Sequence, residues 1–344
     1  MPIEQTVSST IQIFQSTFIP ETIQFLIALA PPFLMVLLAV IFWDLWVDYV
    51  RGTNFVNMKY AVLELKLPKE TWKSPKAMEI FLNSIHNSSD GSFFAQYWKG
   101  ETRPWFSLEL ASIEGVVKFY IWTEASRIAS VMGALYSQFP EMEIKEVEDY
   151  TRSVHFDPKE IRIFAAEFQF TNPNKSPAYP IRTYVDYGLD KDPKEEFKVD
   201  PILPLLEFLG SVGPNQQVWM QLLVRCHKKD NRKAGNFFKL TDSWKDDEQK
   251  EINEILKRDP KTKVAGTVVE GTEYTKMPLI SEGEREVVLA IERRQSKLPF
   301  DVGIRFLYIA KQNIFSTPFG VGGIISSMKQ FNDERMNGFK PNSD

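Results

Sequence analysis

The run "FLIALAPPFLMVLLAVIFW", Phe25 to Trp43, carries no charged residue. As a helix it covers roughly 30 Å, the hydrocarbon thickness of a bilayer. A chain with such a segment must bury it in protein, place it in lipid or lose it as a secretory leader. A leader needs a basic start, yet Met1 to Gln24 holds no Lys or Arg, only Glu4 and Glu21. It also needs small residues at a cleavage site, and Trp43, Asp44, Leu45 and Trp46 stand there instead. A core helix of a soluble domain ordinarily shows a polar stripe, and this run has none. The reading is a single transmembrane helix over residues 23–50.

Pro31 and Pro32 interrupt the run and predict a bend, or a helix that starts properly at Pro32. Trp43, Trp46 and Tyr49 cluster at its end as an interfacial aromatic belt would, and Arg51 completes the set of membrane-interface residues. Arg51 and Lys59 follow the span, with no basic residue before it. The positive-inside bias then puts the N-terminus outside the cell membrane and the body in the cytoplasm. Residues 1–22 space Ile3, Val7, Ile11, Phe14 and Phe18 helically among polar neighbours. This suits an amphipathic segment on the outer surface, with a frayed polar terminus as the alternative.

The remaining sequence is long enough for two domains in a chain of 344 residues. Hydrophobic content of 43% and charged content of 25% describe a folded body. A net charge of −4 supplies no global attraction for nucleic acid. Cys226 is the one cysteine, so no intramolecular disulfide can form, which fits a reducing compartment.

"KYAVLELKL" alternates and reads as a half-buried strand. "SPKAMEIFLNSIH" reads as a helix with Ser74 as cap, Pro75 at its first position and Met78, Phe81, Leu82 and Ile85 inward. "WFSLELAS" and "VVKFYIW" flank Ile113-Glu114-Gly115 as a hairpin. A second helix, "SRIASVMGALYSQF", and a strand, "EIKEVEDY", complete a strand-helix-strand-strand-helix-strand order over residues 58–152. That is the ferredoxin-like unit, with two helices on one face of an antiparallel sheet.

A divergent second unit of the same type is expected over residues 160–330. "EIRIFAAEFQF" and "YPIRTYVDY" read as strands, "DPILPLLEFLGSV" as a helix, and "QVWMQLLVR" as a strand. The helix "EREVVLAIERRQ" and the strand "FDVGIRFLYIA" follow. The inward stripe Ile202, Leu205, Leu206 and Leu209 after a capped proline repeats that of the first unit. Residues 227–283 are charged and irregular, an insertion whose middle forms a helix with a thin stripe of Trp244, Ile252, Ile255 and Leu256. "TPFGVGGIISSMKQFNDERMN" reads as a closing helix, and residues 331–344 as a disordered tail. The fold class is therefore α+β.

Catalytic chemistry finds little support. His86, His155 and His227 are isolated from one another, and Cys226 and His227 are strand neighbours pointing to opposite faces. Neither a metal site nor a Cys-His nucleophile pair is expected. "FGVGG" lacks the Lys-Ser/Thr of a phosphate loop and reads as a hinge or a close-packing site. No cofactor and no enzymatic activity are expected. Lys118, Tyr120 and Trp122 on the third strand, with Trp105 on the second, allow base stacking, so a membrane-tethered binder of single-stranded nucleic acid is the alternative. The densest aromatic run is "SFFAQYWKGETRPWF". Its Phe93, Phe94, Tyr97, Trp98, Arg103 and Trp105 are the candidate partner-binding residues, for the bilayer or for a protein.

"YWKGETRPWFSLELASIEGVVKFYIWT" and "PFDVGIRFLYIA", together with the anchor, resemble a domain-of-unknown-function family of single-pass membrane proteins from candidate-phyla-radiation (Patescibacteria) bacteria. The resemblance spans most of the chain and implies members that continue past this chain's last residue. More loosely, "DPILPLLEFLGSV" with "VWMQLLVR" and "FDVGIRFLYIA" looks like the segment ahead of the motor in type IV secretion and conjugation ATPases. The chain has no Walker motif, so any motor would be a separate protein. The anchor, the one-sided sheets, the aromatic run and the lack of a convergent catalytic set read as a membrane-anchored cytoplasmic scaffold or adaptor, and the looser likeness implies a type IV secretion-like or DNA-translocation ATPase as the partner it recruits. The family offers no catalytic residues.

Overall fold

A computed structural model describes residues 19–68, 73–89, 91–171, 176–190, 199–229, 231–232, 240–241, 243–256 and 280–342. The amphipathic segment expected over residues 1–22 lies almost wholly outside them. The chain divides into two compact units. The first comprises the N-terminal residues through 58 together with residues 90–102, and the second holds the rest.

In the first unit a single helix, α1, runs over Ile19–Asn57. Pro31 and Pro32 sit inside it without ending it. Prolines are tolerated this way in apolar helices, where neighbouring groups and local adjustment satisfy the freed carbonyls. The helix also continues past the expected end at residue 50. Ala30–Asn57 is, among the described residues, the helix long and apolar enough to cross a membrane. Its 28 residues extend to about 42 Å at 1.5 Å per residue.

The second unit is an eight-stranded antiparallel sheet with helices packed on one face. Its first half contains β1 (Tyr60–Lys66), α2 (Lys76–Ile85), β2 (Trp105–Ile113), β3 (Val116–Glu124), α4 (Ile128–Gln138) and β4 (Glu143–Val147); α3 (Phe93–Tyr97) belongs to the first unit. Alternation drives this half: Leu63, Leu108 and Ile121 point to the helix side, where they meet Phe81 of α2 and Val131 and Leu135 of α4. Glu114 and Gly115 both have positive φ, 53° and 87°, so β2 and β3 join through a two-residue turn matched to their twist.

The second half contains β5 (Ile161–Phe170), α5 (Leu203–Gly210), β6 (Gln216–Cys226), α6 (Ser243–Ile255), α7 (Glu282–Gln295), β9 (Phe300–Lys311), α8 (Gly322–Ser327) and β10 (Phe339–Pro341). A short ribbon of β7 (Asn231–Arg232) and β8 (Leu240–Thr241) precedes α6. The sheet order is β10-β5-β9-β6-β2-β3-β1-β4. Each half thus places its strands in the order fourth, first, third, second. The halves meet through β2 and β6, the second strand of each, paired antiparallel from Trp105 opposite Arg225 to Ile113 opposite Gln217. Such a seam relates the halves by an approximate two-fold. The apolar core continues across it, since Leu110 and Phe119 pack with Leu205, Leu209, Phe306 and Tyr308.

Three expectations are corrected here. "YPIRTYVDY" forms turns rather than a strand, because Pro180 removes a ladder donor and the Tyr184 hydroxyl bonds Glu79 instead. The expected strand "FDVGIRFLYIA", β9, pairs with β6 across the long insertion. The closing segment is not one helix: a π-turn (Thr317–Val321), α8 and a 3-10 turn (Lys329–Phe331) succeed one another. The tail expected to be disordered instead carries β10, with Phe339 opposite Phe170 and Pro341 opposite Phe168.

"FGVGG" is a close-packing site. A Cβ on Gly320 would lie 2.1 Å from the Tyr308 ring, and one on Gly323 would lie 2.1 Å from the Phe208 ring. In the insertion, α6 packs on α7 through Ile252, Val287, Val288 and Ile291, with Ile255 and Leu256 alongside. Glu248 of α6 is fully buried against the Arg294 guanidinium of α7, 2.6 Å away, and burial pushes its carboxyl up against the pull of that cation.

Candidate functional site

Two of the sequence-derived groups come together in the first unit. Trp43, Trp46 and Tyr49 lie on α1, and Phe93, Phe94, Tyr97 and Trp98 lie on or beside α3. Ser92 caps α3 by accepting the Ala95 N–H, and the Glu101 N–H returns to the Ala95 carbonyl, closing the segment into a small loop. The Trp46 indole donates to the Tyr97 carbonyl at 3.0 Å, and the Asn54 amide donates to the Gly100 carbonyl at 3.1 Å. The Trp43 ring lies 5.3 Å from Tyr97 and 6.0 Å from Trp98. Phe94 stacks on Trp98, and Phe93 tilts on Tyr97 at 4.6 Å. The result is a collar of aromatic rings where the uncharged run of α1 ends and Asp44 and Asp48 follow.

The collar keeps much apolar surface open. Phe93 is 64% exposed, Phe94 58% and Trp98 47%. The Trp and Tyr rings, apolar in body and polar at an edge, suit the headgroup boundary of a bilayer or the centre of a protein interface, and the two Phe rings add apolar area beside them. Arg51 is exposed on α1 beside them.

Arg103 and Trp105, read from sequence as part of the same group, belong to the second unit. The Arg103 guanidinium donates to the Cys226 carbonyl at 3.0 Å and approaches Asp301 at 3.8 Å. Trp105 stacks on Trp122 at 4.4 Å, and Trp122 also stacks on Tyr60 at 4.1 Å.

The helix-free face of the sheet holds the residues considered for base stacking. Tyr120 is buried under Tyr150, a residue of the segment joining the two halves, with the rings 4.8 Å apart. The Tyr150 hydroxyl donates to Glu109 at 2.6 Å, and the Gln221 amide lies within reach of both. Burial, and then the Glu109 carboxylate, push the Tyr150 hydroxyl far up, so it stays a donor. Lys118 pairs with Glu64 at 3.2 Å. This face is built inward, around its own polar network.

A polar cluster that the sequence did not reveal sits at the ends of β6 and β9. Asp301 accepts from Arg225 at 3.1 Å and contacts His227 Nδ1 at 2.8 Å. Burial alone would raise the Asp301 carboxyl, and the His227 and Arg225 hydrogen bonds outweigh it, holding it below the usual carboxylate range. Cys226 is buried, its thiol pushed up by burial and its sulfur accepting the Asn87 N–H. Cys226 and His227 therefore engage different partners. Among the described residues, no group of three or more His, Cys, Asp or Glu side chains is arranged to hold a metal ion.

These features define a mixed helix-and-sheet protein with one apolar N-terminal helix long enough for a membrane. Residues 55–336 match a family described as a domain of unknown function, DUF8128, and the chain belongs to that family. No curated protein and no solved structure matches it.

Proposed function

We propose that this chain is a single-pass membrane scaffold whose sheet body recruits a protein partner at the cytoplasmic face. The observation that carries the anchoring is the aromatic collar. A removable leader has no reason to be packed into the mature protein, yet Trp46 and Asn54 of α1 hydrogen-bond the 97–100 loop, and Val47 and Val50 are buried. The collar's exposed rings match the interfacial zone in which an emerging span would place them. Orientation rests on the charge asymmetry, with Arg51 and Lys59 on the body side.

The shared strand order of the two halves, with a pair of helices in contact on each, supports assigning both to the ferredoxin-like class. Origin in candidate-phyla-radiation bacteria, and a type IV secretion-like or DNA-translocation ATPase as the partner, rest on the sequence resemblance. The scaffold reading is supported by polar groups of the body that serve its own packing, such as Tyr150 with Glu109 and Arg225 with Asp301.

In-cell crosslinking, mild detergent extraction and mass spectrometry test the recruitment. Attachment of a secretion-type ATPase or pilus component is the expected result. Recovery of nucleic acid, with no protein other than this chain, would overturn it. Orientation needs an introduced thiol, because Cys226 is 1% exposed. Val116→Cys, at a position 59% exposed, should react with a membrane-impermeant reagent only after the cytoplasmic side is opened.

A further inference from the structure

Beyond the apolar run, α1 has two faces. The face toward α3 is used: Trp46 and Asn54 bond the 97–100 loop, and Val47 and Val50 are buried. The opposite face is not polar, as an isolated stalk in water would make it. Leu45 is 64% exposed, Tyr49 68% and Val56 82%. With Leu38, Phe42 and Gly52 they follow steps of four, three, four, three and four residues. Leu38, Leu45 and Gly52 thus recur every seven residues, as do Phe42, Tyr49 and Val56, the heptad spacing of helices that wrap around each other. Inside a bilayer an apolar stripe needs no partner, but after Asp44 and Asp48 it does.

We propose that this stripe is a dimer interface, occupied by the α1 of a second copy of the chain, with the two helices parallel. The occupant follows from three observations. The inference rests on the anchoring proposed above, because a bilayer holds two copies parallel and at one depth, and so sets their identical stripes side by side. The stripe is also continuous with the span, from Leu38 to Val56, so one seam can run through lipid and water alike. Finally, a shallow notch on this face is lined by Asp48, Tyr49, Gly52, Thr53, Val56 and Asn57, and four of them, Tyr49, Gly52, Thr53 and Val56, stand at i, i+3, i+4 and i+7, the outline that receives a side chain from a facing helix, with Asp48 and Asn57 at its rim. A Cβ on Gly52 would meet nothing within 4 Å, so the backbones can approach closely there.

Single cysteines test the pairing in full-length protein reconstituted in liposomes at low protein density. The native chain serves as the blank, since Cys226 is buried. Under mild oxidation, Tyr49→Cys, Gly52→Cys and Val56→Cys should form disulfide-linked dimers about tenfold faster than Asp44→Cys and Arg51→Cys, whose side chains lie off the seam. Equal rates at all five positions, or no dimer at any, would overturn the pairing. The same liposomes are washed with alkaline carbonate. Retention without the periodic pattern would overturn the pairing alone, whereas release would overturn the anchoring and the alignment that depends on it.

Discussion

Gly100 lies against the carbonyl of Val50, so close that a Cβ would stand 2.4 Å from that oxygen. Its φ of +71° is also one that other residues adopt at a cost. The contact is what lets the 97–100 loop reach α1 and receive the Asn54 amide. Gly100→Ala should therefore cost about 1–3 kcal/mol locally and loosen α3 from α1. Limited proteolysis within residues 91–102 reads this directly. Cleavage should speed up there while the sheet body stays resistant, and an unchanged cleavage rate would show that the loop does not depend on the close approach.

Tyr150 joins the two halves as well as covering the sheet. It stacks on Tyr120, meets Trp219 edge-on at 5.1 Å, and satisfies the buried Glu109. Tyr150→Phe keeps the stacking and leaves that carboxylate short of a donor, at an expected cost of about 1–3 kcal/mol. Tyr150→Ala also opens a cavity, and about 3–5 kcal/mol should be lost. Urea unfolding of the detergent-solubilised chain checks both values. No loss in Tyr150→Phe would mean that the hydroxyl contributes nothing, and equal losses in the two variants would mean that the ring contributes nothing beyond it.

Glu79 gives the fold an acid-sensitive tie. Burial would raise its carboxyl, but hydrogen bonds from Lys297 at 2.6 Å and from the Tyr184 hydroxyl at 2.8 Å outweigh this and hold it low. A carboxylate depressed on folding adds stability above its unfolded pKa, and that stability is lost as the pH falls through the folded value. The thermal midpoint should thus decline below about pH 4, the range of an unperturbed Glu. Glu79→Gln should be less stable at neutral pH and should lose less on acidification. Parallel acid profiles for the two proteins would rule out Glu79 as a contributor.

The parts legible in sequence were those set by local spacing. Alternation in β1, the Glu114-Gly115 turn and the stripes of α2, α4 and α5 need only near neighbours. The uncharged run marked α1 equally well, whereas the aromatic run around Phe93–Tyr97 reads as a loop, because its single helical turn is too short to show a stripe. What sequence could not supply was register. Trp105 pairs with Arg225 and Arg225 with Asp301, partners 120 and 76 positions apart, so neither the seam nor the polar cluster around Asp301 leaves a local signal. The insertion hid the β6–β9 pairing for the same reason. Residues 179–187 misled because Tyr179, Ile181 and Thr183 alternate with polar or proline positions, a strand pattern that Pro180 and the demands of Tyr184 override. The strand β10 is only three residues long and ends in proline, so its pattern is too short to read.

Glu248 and Arg294 supply the sharpest test of how the insertion is held. The carboxylate is fully buried on α6, and its cationic partner on α7 also donates to the Pro177 carbonyl at 2.7 Å and lies 5.8 Å from the Trp244 ring. Burial pushes the Glu248 carboxyl up and the Arg294 guanidinium down, so each charge depends on the other. Removing only the cation leaves a buried charge uncompensated, which typically costs about 3–5 kcal/mol. Arg294→Ala should therefore release α6 from α7, seen as faster hydrogen exchange over Ser243–Ile255 while β6 and β9 remain protected. Lowering the pH should partly restore protection in that variant, because protonating Glu248 removes the stranded charge. Pairing Arg294→Met with Glu248→Leu should recover most of the loss, since an apolar pair of similar volume carries no desolvation penalty. Unchanged exchange over α6 in Arg294→Ala would show that Ile252 and its apolar neighbours hold the helix without the ion pair.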